Sequence, residues 1–158
     1  MCTRNVSIDA RLLVVGCEGL EVRDVPVETR KWSEDTEVSA IQQFDAGIMP
    51  LPDAPWERGK CGYKLIQYMA CRLPVVASPV GVNREIVEDG VNGFLAATPD
   101  EWVIALKQLR DHEELRQSMG MAGRKKVEAE YNIQVTAPKL GELLRSAAKE
   151  SCTTNHGN

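Results

Sequence analysis

The sequence predicts an α/β fold, a parallel sheet flanked by helices within one main domain. Three observations carry this. Short apolar runs, ARLLVVG (Ala10–Gly16), AGIMPL (Ala46–Leu51) and LPVVAS (Leu73–Ser78), read as buried parallel strands. Helix-like segments separate them, so strand and helix alternate along the chain. The 158 residues, 43% of them hydrophobic, suit one domain. A domain of this size buries about 70% of its unfolded surface. The domain is expected over residues 1–150, with a polar tail at 151–158 predicted to be disordered.

Each element has a local reason. The first strand, Ala10 to Gly16, ends in glycine. Glu21 to Val27 alternates loosely and reads as a second strand near an edge. Ser33 is placed to cap a helix running to Phe44. Its acids Glu34, Asp35 and Glu37 crowd the first turn, where the helix dipole favours them. Val38 and Ile41 would face the core. Ala46 to Leu51 is the next strand, stopped by Pro52-Asp53. A loop, Pro52 to Lys60, leads into a helix from about Gly62 to Arg72. Leu73 to Ser78 is the next strand, and a short helix begins near Asn83. Gly93 to Ala97 is the last strand. From Pro99 the chain reads as helical. Trp102, Ala105, Leu106 and Leu109 form a core-facing stripe. Leu115 and Met119 mark a second short helix, and Val135, Leu140, Leu143 and Leu144 a final one.

Composition narrows the function. The net charge is −4 and the basic residues are scattered, which argues against nucleic acid as a partner. The five cysteines (Cys2, Cys17, Cys61, Cys71, Cys152) form no CxxC or Cys/His cluster, so no metal site is expected and reduced thiols are. The N-terminus lacks the apolar core of a signal peptide, and no run reaches the ~20 apolar residues of a membrane span. A cytoplasmic protein with no transmembrane segment is expected. The two histidines, His112 and His156, lie away from the strand ends, and no GxSxG, HExxH or GxxxxGK[ST] occurs.

Ligands of parallel sheets bind at the carboxyl ends of the strands. The loops after Leu51, Ser78 and Ala97 are therefore the candidate site. The stretch PWERGKCGYKLIQYM (Pro55–Met69) is the most informative. Gly59 and Gly62 let a ligand approach the backbone. The helix starting near Gly62 directs free N–H groups at the loop, and such an end attracts phosphate. Arg58, Lys60 and Lys64 add positive charge. Together these suggest a diphosphate site, although a surface loop with solvated charges would look the same. In LPVVASPVGVNRE (Leu73–Glu85), amides around Gly81, Val82 and Asn83 could meet an anion or sugar hydroxyls, or Asn83 could simply cap its helix.

The order of motifs in KCGYKLIQYMACRLPVVASPVGVNREIVEDGVNGFLA (Lys60–Ala96), with LRQSMGMAGRKKVEAEYN (Leu115–Asn132), resembles the C-terminal domain of the group-1 glycosyltransferases of GT-B architecture. The resemblance covers roughly Trp32 to Leu144. It implies a Rossmann-like half-domain that holds a nucleotide-sugar donor. Lys60, Gly62, Tyr63 and Lys64 would lie toward the diphosphate and sugar. Gln67 would face the ribose, and the turn through Gly81, Val82 and Asn83 would lie near the nucleotide. Such enzymes retain anomeric configuration and use no bound metal or other cofactor. Cations and amides stabilise the leaving diphosphate instead.

Three positions depart from the family pattern. Gln67 replaces a glutamate, so bonds to ribose would be neutral rather than charge-assisted. Gly59, eight positions earlier, replaces an acid. Arg72 stands where a glycine usually takes φ > 0, at a cost of ~1 kcal/mol. The family's acceptor-binding domain and the first βα unit of the donor domain are also missing from these residues. That first strand would be central in the sheet. Either the strand at Leu12–Val15 pairs directly with Ala46–Pro50, or Asn5–Ile8 or a second chain fills the gap. A homodimer through the exposed sheet edge is expected.

The function implied is donor binding for a retaining glycosyltransferase of cell-surface polysaccharide biosynthesis, catalytically incomplete as a lone domain. The full-length enzyme would lie peripherally at the inner membrane face. The alternative is a non-catalytic, truncated product acting as an interaction module or homo-oligomer. A sugar epimerase on the same architecture would want ionisable strand-end residues that this chain lacks.

Overall fold

A computed structural model describes residues 10–153, with side chains through Lys149. β1 (Leu12–Val15) pairs in parallel with β2 (Val27–Arg30), and α1 (Glu34–Ile41) follows. β3 (Gly47–Met49) leads through α2 (Pro55–Arg58) and α3 (Tyr63–Ala70) to β4 (Val75–Ala77). α4 (Asn83–Ile86), β5 (Gly93–Leu95), α5 (Pro99–Asp111), α6 (Glu113–Glu130) and α7 (Ile133–Thr153) complete the chain. β3, β4 and β5 form a second parallel sheet in that order. Parallel strands connected by helices give a Rossmann-like α/β fold.

β4 is the centre of the core because it is covered on both faces. Val75 and Ala77 point to one face and meet Leu65 and Met69 of α3, Ile86 and Val127. Val76 points to the other and meets Ala105 and Leu109 of α5 and Met119 of α6. α6 crosses α3 closely at two glycines. A Cβ on Gly120 would run into the carbonyl of Arg72, and one on Gly123 would reach Met69 Cγ at 2.9 Å. α5 is fixed at its start by a reciprocal capping box. Thr98 Oγ1 accepts from the Glu101 amide at 3.3 Å, and Glu101 Oε2 accepts from the Thr98 amide at 3.0 Å.

Several expectations are corrected. The second strand is Val27–Arg30, not Glu21–Val27. Val22 and Val25 close a tight turn through Asp24 at φ 59°, which uses up the apparent alternation. The Pro52–Lys60 loop contains α2, begun by Pro55 at its first position. The first helix stops at Ile41, and α6 runs to 18 residues rather than being short. Helix α7 extends through Thr153, three residues into the expected tail; the remainder of the tail lies outside the described residues. Val38 and Leu106 are exposed rather than core-facing. β1 and β3 do not pair directly, since they belong to different sheets. Asn5–Ile8 lies outside the described residues. Arg72 does adopt the left-handed conformation its position demanded, at φ 62°.

Candidate functional site

Parallel strands put the starts of the following helices at one edge of each sheet, the carboxyl edge. Two loops meet there. The amide of Leu51, just after β3, donates to Ser78 Oγ at 2.9 Å and ties the first loop to the end of β4. The turn after β4 backs onto the end of α2. A Cβ on Gly81, whose φ is 54°, would lie 2.5 Å from the Arg58 carbonyl oxygen. Gly62, at φ 65°, opens α3 beside Ile86, Val82 and Asn83, where a side chain would collide with Ile86. Gly62 and Gly81 therefore hold the two loops together as well as bending them.

The first turn of α3 has no side-chain cap. Its amides at Tyr63 and Lys64 point to the carboxyl edge, as a phosphate-accepting helix start requires. Lys64 and Gln67 line a cavity of about 300 Å³ between α1, α3, β1 and Ile48 of β3. Lys60 and Tyr63 are exposed and do not line it, Tyr63 at 61%. Among the residues lining the cavity, Lys64 is the cation and Glu37 the anion.

Asn83 does not take the capping role that the sequence offered it. It is 1% exposed, and its Nδ2 donates to the Ser78 carbonyl at 3.0 Å. Val82, not Asn83, is the cap residue of α4. The Asn83 side chain thus braces the turn and is not presented to a ligand. Arg58 is also committed elsewhere. Its Nε donates to Asp53 at 2.6 Å, and this bond holds the Asp53 carboxyl below its ordinary range. The structure therefore brings Lys64 and Gln67 into one cavity. Lys60, Gly62, Tyr63, Gly81, Val82 and Asn83 do not line that cavity, and Gly62 packs beside Val82 and Asn83.

Sequence reading missed Glu37 and Trp32. Glu37 Oε2 accepts from Gln67 Nε2 at 2.9 Å, and its Oε1 accepts from Trp32 Nε1 at 2.9 Å. A carboxylate thus lies beside Gln67 although it comes from α1, thirty residues earlier. Only its helix-dipole role was visible in the sequence, because nothing local marks a contact at that separation. Tyr68 also lines the cavity, tilted against Phe44 with ring centroids 6.1 Å apart. Burial, then the charge of Glu37, pushes its phenol up. Among the described residues no cluster of ligands could hold a metal ion, and no helix is long and apolar enough to cross a membrane.

Comparison with known proteins supplies the context. The family model described as "Glycosyl transferases group 1" matches residues 2–112. The capsular polysaccharide biosynthesis glycosyltransferase CapM of Staphylococcus aureus is 30% identical over 99 residues, which are 61% of this chain and 26% of that protein. The crystal structure of Anabaena HepE in complex with UDP and glucose matches with a TM-score of 0.64 at 20% identity, over 78% of this chain and 33% of that one. The C-terminal domain of a group 1 family glycosyl transferase, LpcC, from Francisella tularensis matches with a TM-score of 0.53 at 24% identity, over 70% of this chain and 56% of that one. The chain spans between 18% and 35% of the length of the first curated relatives it matches.

Proposed function

The chain belongs to the group 1 glycosyl transferases, with a GT-B type Rossmann-like fold, and from that premise we propose that it holds the nucleotide-sugar donor of a retaining transferase. The observation that carries this reading is the first turn of α3, which has no side-chain cap, with Lys64 lining the cavity. Amides and one ammonium would there offset the charge of a leaving diphosphate, the preorganised electrostatic contribution that such a transfer needs. Gln67, with Glu37 beside it, would meet the ribose diol. Gln67 would accept through its amide oxygen, while its Nε2 stays on Glu37. Gly62, Gly81, Val82 and Asn83 would shape the wall that keeps the α3 start open. Lys60 and Tyr63 would close on the sugar only by moving inward.

The UDP and glucose held by HepE support a nucleoside diphosphate sugar as ligand, and CapM supports a surface polysaccharide as product class. An acceptor-binding domain outside these residues would supply the second substrate, in an enzyme working at the cytoplasmic face of the membrane. The second reading, an interaction module, draws on the edges of β1 and β3, which no strand among the described residues pairs.

Titrating UDP and GDP into the full chain, followed by amide NMR, tests the proposal. Shifts centred on Tyr63, Lys64 and Gln67, weakened about tenfold in Lys64→Ala, are expected. Absence of any shift at those amides at millimolar nucleotide would end it.

A further inference from the structure

We propose that Glu37, carried by α1, is the carboxylate that accepts from the ribose hydroxyls of the donor. The inference rests on the donor reading and adds to it the residue that tells ribose from its deoxy forms. α1 follows β2 and α3 follows β3, so the first turns of both helices lie at carboxyl edges. Glu37 stands in the first turn of α1, and Gln67 lies one turn past the start of α3. Both are half-buried, and both line the cavity that Lys64 lines.

The hydrogen bonds fix which groups face a ligand. A carboxylate only accepts, and an indole N–H only donates. Trp32 Nε1 donates to Glu37 Oε1 at 2.9 Å, and Gln67 Nε2 donates to Glu37 Oε2 at 2.9 Å. Glu37 is thus held from both sides, and each of its oxygens keeps a lone pair for a further donor. The Gln67 amide turns its nitrogen to Glu37, which leaves its oxygen as a neighbouring acceptor. The pair offers acceptors, so a ligand meeting it must bring hydroxyl or N–H donors. Bonds to Glu37 are charge-assisted and the stronger ones, while those to Gln67 are neutral.

Charge then orders the ligand along the site. Lys64 and Gln67 have the i, i+3 spacing that sets side chains about 5–6 Å apart at Cβ on one helix face. Glu37 and Lys64 form no ion pair with each other among the described residues. A ligand that satisfies both carries an anion at one end and hydroxyl donors at the other. A nucleoside 5′-diphosphate has that form, because one methylene arm joins its phosphates to the ring that bears the diol. A deoxyribose lacks the donors and would leave the Glu37 lone pairs unmet, which costs more at a charged acceptor than at a neutral one.

The test titrates the full chain with UDP and GDP, and with the 2′,3′-dideoxy form of each, followed by amide NMR. The parent should bind the better ribonucleotide about tenfold more tightly than its dideoxy form. Glu37→Gln should cut that ratio to about twofold while the shifts at Tyr63 and Lys64 persist, because the phosphates keep their amides. Combining Glu37→Gln with Gln67→Glu moves the carboxylate to α3 and reverses the bond between the two, and should restore a ratio of about tenfold. Glu37→Asp draws the carboxylate back by one methylene and should lower the ratio to about threefold; it serves where Glu37→Gln does not fold. Binding with an undiminished ratio in the Glu37 variants overturns the inference and leaves the donor reading standing, as does a parent that binds both sugars equally. A low ratio that the exchanged pair does not restore makes the Glu37–Gln67 bond a tie between helices alone, and also overturns it. Absence of binding by every nucleotide overturns the donor reading, and this inference with it.

Discussion

The two sheets are made from similar residues and reach different ends. Val75, Val76 and Ala77 of β4 are fully buried, while Leu12 to Val15 of β1 are all only half-buried. β4 has a parallel neighbour on each side and helices on each face. Among the described residues β1 has one neighbour, and a cavity lies on its other side. Apolar composition is thus a capacity for burial, and neighbours decide whether it is realised. The well-packed sheet packs against α3, and the half-covered one borders the cavity that Lys64 and Gln67 line.

Substitutions can break or sharpen this comparison. The largest effect should come from Leu65→Ala, which empties a fully buried position under β4 and should cost about 3 kcal/mol in denaturant unfolding. Leu13→Ala, the same chemistry in β1, should cost below about 1 kcal/mol. Equal costs would erase the distinction. Gly120→Ala forces a methyl group onto the Arg72 carbonyl, and a loss of about 2 kcal/mol is expected by thermal unfolding. Arg72→Gly relieves a left-handed arginine at the end of α3 and should gain about 1 kcal/mol, raising the unfolding midpoint by about 3 °C.

The smallest effect concerns pH at the edge of the well-packed sheet. Bonds from the Ala97 and Thr98 amides hold the Glu101 carboxyl below its ordinary value of 4.5. Its contribution is therefore complete above that value and is lost as pH falls through the lower, folded one. Glu101→Gln should destabilise at neutral pH, and the difference from the parent should vanish in acid. A difference that grew in acid would contradict the capping box.

Legibility followed the range of the interactions. Apolar runs located β1, β3, β4 and β5, because a buried strand announces itself within a few residues. The turn at Val22–Val25 hid β2, because a loose alternation does not distinguish a strand from a reversal closed by Asp24. The exposure of Leu140, Leu143 and Leu144 was not readable, because a periodic stripe does not say whether anything covers it. At the site, the uncapped start of α3 and the place of Lys64 were visible locally. The burial of Asn83, the capture of Arg58 by Asp53 and the approach of Glu37 to Gln67 were not.

The sequence by itself determined the alternation of strand and helix, the glycines at the loop crossings and the family. Those features depend on local geometry, where neighbours along the chain set backbone conformation. Tertiary structure alone decided which polar side chains are spent on the protein, and that β1 and Ile48 of β3 line one cavity. Such outcomes are settled between segments distant in sequence, where packing and backbone pairing compete and no local pattern records the winner.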